Sequence, residues 1–181
     1  MATKQREAMA KLVEQLPKQY PGCGILVWGS VMRGCERSNS DLDLFVVHEG
    51  NGPIKIRQGW RDGRQYPEHY VDDVCLDLVL MPSQTLAKTL EAKPYNFWFF
   101  ARSQIIHDPV GLAKRYHAIA AAYFDAHPEV EAVWQRNSDL MRELKPKLKA
   151  DPESGIKLPG WSEVAEEARA AALAEPRRLR R

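Results

Sequence analysis

Asp41 and Asp43 stand two residues apart in Ser40-Asp41-Leu42-Asp43-Leu44-Phe45-Val46-Val47, a stretch with the two-residue period of a β-strand. On a strand both carboxylates face one side while Leu42 and Leu44 face the other. One face is then core and the other a row of hard, anionic oxygens, the donors that Mg²⁺ prefers. An Mg²⁺ that serves a triphosphate is held by only a few carboxylates, with the phosphates completing its shell. A third acid, Asp77, is the only charge in the apolar run from Val74 to Leu80. A carboxylate in such a strand must be paired or bind a metal unless it lies at a solvated end. Asp72 and Asp73 lie where that strand begins and are reserve candidates, in a place where solvated acids are ordinary.

Asp-Leu-Asp alone is common on solvated strand faces. Here it follows Gly29-Ser30, which ends the apolar run Ile25-Leu26-Val27-Trp28 and leads into a short helix expected at Val31–Gly34. Free backbone N–H groups at such a turn favour phosphate, and glycine lets the backbone come close. An anion cradle beside a pair of metal-binding acids is the combination that a triphosphate with Mg²⁺ requires. Arg33 in the same turn is a candidate phosphate contact.

The elements that must position these residues follow from periodicity. Met9, Leu12, Val13 and Leu16 share a helical face, so a first helix is expected over residues 3–16, stopped by Pro17 and Pro21-Gly22. Strands are expected at 24–28, 41–47, near 54–60 and up to residue 80, with an antiparallel turn at Asp62-Gly63. Beyond Met81-Pro82 the composition turns to Ala, Leu, Lys and aromatic residues, and helices are expected near 83–92, 95–106, 109–125 and 128–145. Asp108-Pro109 and His127-Pro128 read as helix starts. Residues 146–160 read as a linker, followed by a helix near 162–174 and a basic tail, Arg177–Arg181. The fold class is α/β (α+β): a mixed sheet flanked by helices over residues 1–82, a helical region over 83–145, and a linker, short helix and tail over 146–181.

The remaining composition narrows the chemistry. A formal net charge of +2 gives no general case for nucleic-acid binding. The basic tail could still grip RNA or an acidic partner, although basic termini are usually just solvated. The three cysteines, Cys23, Cys35 and Cys75, have no C-x-x-C spacing, and the five histidines have neither H-x-x-x-H nor H-E-x-x-H spacing. Disulfide frameworks and zinc catalysis have no support. Ser30 lies in no nucleophile elbow. The aromatic run Tyr95, Phe97, Trp98, Phe99 and Phe100 reads as core. With no signal-peptide h-region and no run long enough to span a bilayer, a cytoplasmic protein is expected, away from membranes.

The segment Leu26-Val27-Trp28-Gly29-Ser30-Val31-Met32-Arg33-Gly34, continued by Ser40-Asp41-Leu42-Asp43-Leu44, resembles the signature of the polymerase-β-like nucleotidyltransferase superfamily, in particular its minimal bacterial and aminoglycoside-modifying members. Met32 departs from the small residue common there. The resemblance implies a mixed sheet flanked by helices, two Mg²⁺ ions, or Mn²⁺ in their place, and transfer of a nucleoside monophosphate from an NTP, with ATP expected, to a hydroxyl with release of pyrophosphate. It implies Gly29, Ser30 and Ser40 at the nucleotide and Asp41, Asp43 and Asp77 as catalytic metal ligands. The acceptor stays open among a small molecule, a protein partner and an RNA end, and a homodimer is one way to close the cleft. The alternative is a non-catalytic nucleotide-binding or antitoxin-type protein that keeps the fold and acts by binding a partner.

Overall fold

Thr3 caps the first helix, its side-chain oxygen accepting the Arg6 N–H at 3.4 Å. In this computed structural model, which describes residues 3–61, 64–151 and 153–174, helix α1 runs over Lys4–Gln19. Ala8, Leu12 and Leu16 recur every four residues and are buried against the sheet. Each leucine contributes about 1.5–3 kcal/mol by leaving water. The helix does not stop at Pro17, as expected from sequence. Pro17 falls in the last turn, where a missing N–H removes a single bond, and Tyr20 N–H still closes on the Leu16 carbonyl at 2.8 Å.

β1 (Gly24–Trp28), α2 (Gly29–Met32) and β2 (Leu42–His48) follow, close to the sequence expectation. β3 (Lys55–Gln58) is an edge strand, and β4 (Trp60–Arg61) pairs with β5 (Arg64–Gln65). The Asp62-Gly63 turn between them lies outside the described residues. After a single 3₁₀ turn at Pro67–His69 come β6 (Tyr70–Val71) and β7 (Val74–Pro82), then α3 (Ser83–Ala92). Asp72 and Asp73 form the two-residue turn between β6 and β7, both with left-handed φ, 48° and 62°. They are turn residues, and Asp72 pairs with Lys11 at 2.5 Å.

One expected helix, 95–106, is replaced by a 3₁₀ turn at Pro94–Asn96, the single turn α4 (Trp98–Ala101) and strand β8 (Gln104–His107). Ile105 and its neighbours add an edge to the sheet by pairing with β1, so long-range pairing overrides the helical composition. α5 (Leu112–Ala126) starts three residues later than expected. Asp108 still caps it, its carboxylate accepting N–H groups of Ala113 at 3.1 Å and Lys114 at 2.8 Å, while Pro109 to Gly111 form the turn between.

Among the described residues six strands form a sheet in the order β3-β7-β2-β1-β8, with β6 paired to β7. The β2–β7 pair is parallel and the other pairs antiparallel, so the expected mixed sheet is present. Ile25, Val27, Leu42, Leu44, Leu76 and Leu78 face α1 as core. The alternate residues of β2 and β7, among them Asp43 and Asp77, face the other way.

The chain divides into two compact units, Met1–Ala92 with Phe99–Ala120, and Lys93–Trp98 with Ala121–Arg181. In the second, α6 (Pro128–Ala150) and α7 (Trp161–Ala174) pack together around Val164 and Ala168, with Trp134 and Trp161 stacked at 6.2 Å. Trp134 donates its indole N–H to the Tyr95 carbonyl at 2.6 Å. α6 passes through Pro146, so the stretch read as linker begins in a helix; this proline too lies near the helix end. The basic tail lies outside the described residues. No helix among the described residues is long and apolar enough to cross a membrane.

Candidate active site

All the acids of interest lie in the first unit, at one end of β2 and β7. β2 and β7 run parallel with Asp43 in register with Asp77. In-register residues of neighbouring strands point to the same face about 4.8 Å apart, so these two carboxylates lie side by side. Like charges at that spacing repel, a repulsion that a cation bound between them would relieve. Asp41 precedes β2 and keeps the parity of Asp43.

Gly29 is built into the same place. Trp28 pairs with Asp43 across β1 and β2, after which the chain turns at Gly29 with φ +76°. A Cβ at position 29 would lie 2.1 Å from Asp43 Oδ2. The Asp43 carboxylate therefore occupies the space that any side chain at 29 would need. Both the backbone angle and the close approach require glycine. Ser30 continues into α2, whose first N–H groups have no partner within the helix, and its carbonyl accepts the Cys35 N–H at 3.0 Å. Arg33 is exposed, its guanidinium 5.9 Å from the centre of the Trp28 ring. Trp28 in turn meets the edge of Phe99 at 5.5 Å. Met32, the departure from the family pattern, is half-buried against the core. Ser40 closes a turn, its hydroxyl accepting the Arg37 N–H at 2.8 Å immediately before Asp41.

Two residues that sequence reasoning missed border the acids. Tyr70 faces Cys75 across β6 and β7, and the two hydrogen-bond each other. Burial and then the Asp41 carboxylate push the Cys75 thiol up to about 11, with Asp77 adding to the effect. The protonated thiol hydrogen-bonds Asp41. Burial, followed by the Cys75 contact, pushes the Tyr70 phenol up to about 12, and both Asp41 and Asp77 contribute. The Cys75 thiol thus lies near enough to both Asp41 and Asp77 to feel their charge. The sequence signal was available: Cys75 shares the parity of Asp77, and a short turn before a strand implies a partner strand carrying Tyr70.

The donor set suits a hard cation. Asp77 has interactions with its surroundings, yet its Oδ1 is a buried oxygen that accepts no hydrogen bond among the described residues. Among the described residues no three or more His, Cys, Asp and Glu side chains are grouped to hold an ion by themselves. Asp41, Asp43 and Asp77 therefore do not form such a group by themselves, and an Mg²⁺ held by fewer carboxylates would need water or phosphate oxygens for its remaining positions.

A mixed sheet with Gly29-Ser30 at the end of β1 and the in-register acids Asp43 and Asp77 on β2 and β7 is the arrangement of a nucleotidyltransferase-type core. Residues 9–102 match the nucleotidyltransferase domain family, and the chain belongs to it. Eight chains of solved structures match as well. One is a nucleotidyltransferase-like protein from Exiguobacterium sibiricum 255-15, at 14% identity and a TM-score of 0.41, covering 77% of this chain and 49% of that one. The chain thus spans about half the length of that protein. No curated protein matches the chain.

Proposed function

We propose that the protein is a metal-dependent nucleotidyltransferase that moves a nucleoside monophosphate from an NTP, with ATP expected, onto a hydroxyl acceptor. The observation that carries this reading is the in-register pair Asp43 and Asp77 with Gly29 fitted against the Asp43 carboxylate. Asp41, Asp43 and Asp77 would hold the divalent cation, Mg²⁺ or Mn²⁺. When bound, it neutralises phosphate charge and acts as a Lewis acid at the reacting phosphoryl group. The N–H groups at Gly29-Ser30 orient the phosphate chain, and Arg33 and Ser40 border the nucleotide. Asp77, set apart from solvent on one side, takes the proton of the acceptor hydroxyl. The acceptor oxygen bonds to the α-phosphorus as the bond from that phosphorus to the bridging oxygen breaks, and pyrophosphate leaves. A small molecule, a protein side chain or an RNA end can supply the hydroxyl.

The test is incubation with NTP labelled at either the α- or γ-phosphate, Mg²⁺ and host lysate. α-Label on an acceptor and γ-label in pyrophosphate are expected, with neither for Asp43→Asn. γ-Label on the acceptor would make the protein a kinase, and no transfer with intact nucleotide binding would make it a non-catalytic binder.

A further inference from the structure

The loop that joins α2 to β2 and delivers Asp41 is not held by its own contacts alone. Gln5, in the first turn of α1, is 1% exposed although it is polar, and a buried amide persists only where its hydrogen bonds are made. Its Nε2 donates to the carbonyls of Arg37 at 2.8 Å, Ser38 at 3.3 Å and Ser40 at 3.2 Å. The next residue, Arg6, holds the other end: its Nη2 donates to the Val31 carbonyl in α2 at 3.2 Å and its Nε to Glu36 Oε1 at 2.6 Å. Thr3 donates its hydroxyl to the same Glu36 oxygen at 3.0 Å. One helical turn therefore grips α2, the middle of the loop and the residue just before Asp41.

We infer that Gln5, with Arg6 and Glu36 beside it, is a positioning device that fixes Asp41 relative to the Gly29-Ser30 turn, so that metal and phosphate are met in one geometry. The inference rests on the proposed reading of the site. Gln5 hydrogen-bonds none of the acids and meets Ser40 only at its backbone carbonyl; it acts through the loop backbone. An amide is required: a carboxylate at position 5 would face three carbonyl oxygens with oxygens, and an apolar side chain would remove the Gln5 donor from all three, leaving the Arg37 carbonyl only its bond from the Ser40 N–H at 3.0 Å.

The test uses the full chain and Gln5→Met, which keeps length and flexibility, with Glu36→Gln as a milder variant should the first fail to fold. Amide hydrogen exchange over residues 37–43, read without ligand, reports the grip. Calorimetric titration with a non-hydrolysable ATP analogue in Mg²⁺, well below the melting temperature, reports the coupling. Exchange is expected to rise and analogue affinity to fall, each about tenfold, as for loss of a buried hydrogen bond. Unaltered exchange, or faster exchange with wild-type affinity, would overturn the inference, because a purely structural role lowers melting temperature without weakening the analogue at low temperature. Wild-type protein that binds no analogue would instead refute the reading of the site and, with it, the coupling.

Discussion

Gly29→Ala is the substitution whose cost the structure specifies most fully. Position 29 has φ +76°, where an L side chain costs about 1–2 kcal/mol. The added methyl would also meet Asp43 Oδ2 at 2.1 Å. Restoring ordinary contact requires that carboxylate to retreat by about 1 Å, a misplacement that can cost about 100-fold in rate. A melting temperature lowered by roughly 3–6 °C is expected from the backbone term, and more from the contact. The decisive form is a double-mutant cycle with Asp43→Ala, which removes the offending oxygens. In that background Gly29→Ala should cost only its backbone term, leaving a coupling of about 0.5–3 kcal/mol. Thermal melts of the four proteins give the coupling, and labelled-NTP transfer by wild type and Gly29→Ala gives the rate. Equal melting losses in both backgrounds, together with wild-type transfer by Gly29→Ala, would refute the argument that Gly29 exists to admit Asp43.

Three further outcomes follow from the same geometry. Asp43→Asn and Asp77→Asn each remove one of two adjacent like charges, so both should melt at or above wild type in EDTA yet lose most of the Mg²⁺-induced rise; a variant that melts lower but keeps the full rise would show that the acid is no ligand. The hydrogen bond from Arg6 holds the Glu36 carboxyl down at about 2 instead of 4.5, so its contribution to stability is complete above pH 5 and lost as pH falls toward 2. Glu36→Gln should flatten the fall of melting temperature across that window, and acid melts superimposable on wild type would contradict the pairing. Exposed Cys35 should alkylate at pH 8 well before Cys75, and Asp41→Asn should speed Cys75 by lowering its thiol pKa; mass spectrometry of the labelled peptides reads both.

The parts of the site that sequence revealed are those written in local pattern. Alternation from Asp41 into β2 gave Asp41 and Asp43 one parity, and the lone charge in β7 singled out Asp77; register then set Asp43 beside Asp77. What was hidden depends on contacts between distant segments. β8 carries four residues after an aromatic, helix-like run, and only its pairing with β1 makes it a strand. The Asp72-Asp73 turn lacks the glycine that usually announces a left-handed turn, so β6 and Tyr70 carry only the weaker signal of a short polar turn before β7. Gln5 lies more than 30 residues from the carbonyls it holds, and in sequence it is one more polar residue on a charged helix. Pro17 and Pro146 misled because a proline late in a helix removes one backbone hydrogen bond without by itself ending the helix.

The central claim is that these acids need a cation before a polyanion can approach the Gly29-Ser30 turn. Calorimetric titration of the wild-type protein with a non-hydrolysable ATP analogue, once in Mg²⁺ and once in EDTA, tests it most directly. Binding in Mg²⁺ and none in EDTA is the predicted result; equal affinity under both conditions would contradict the account.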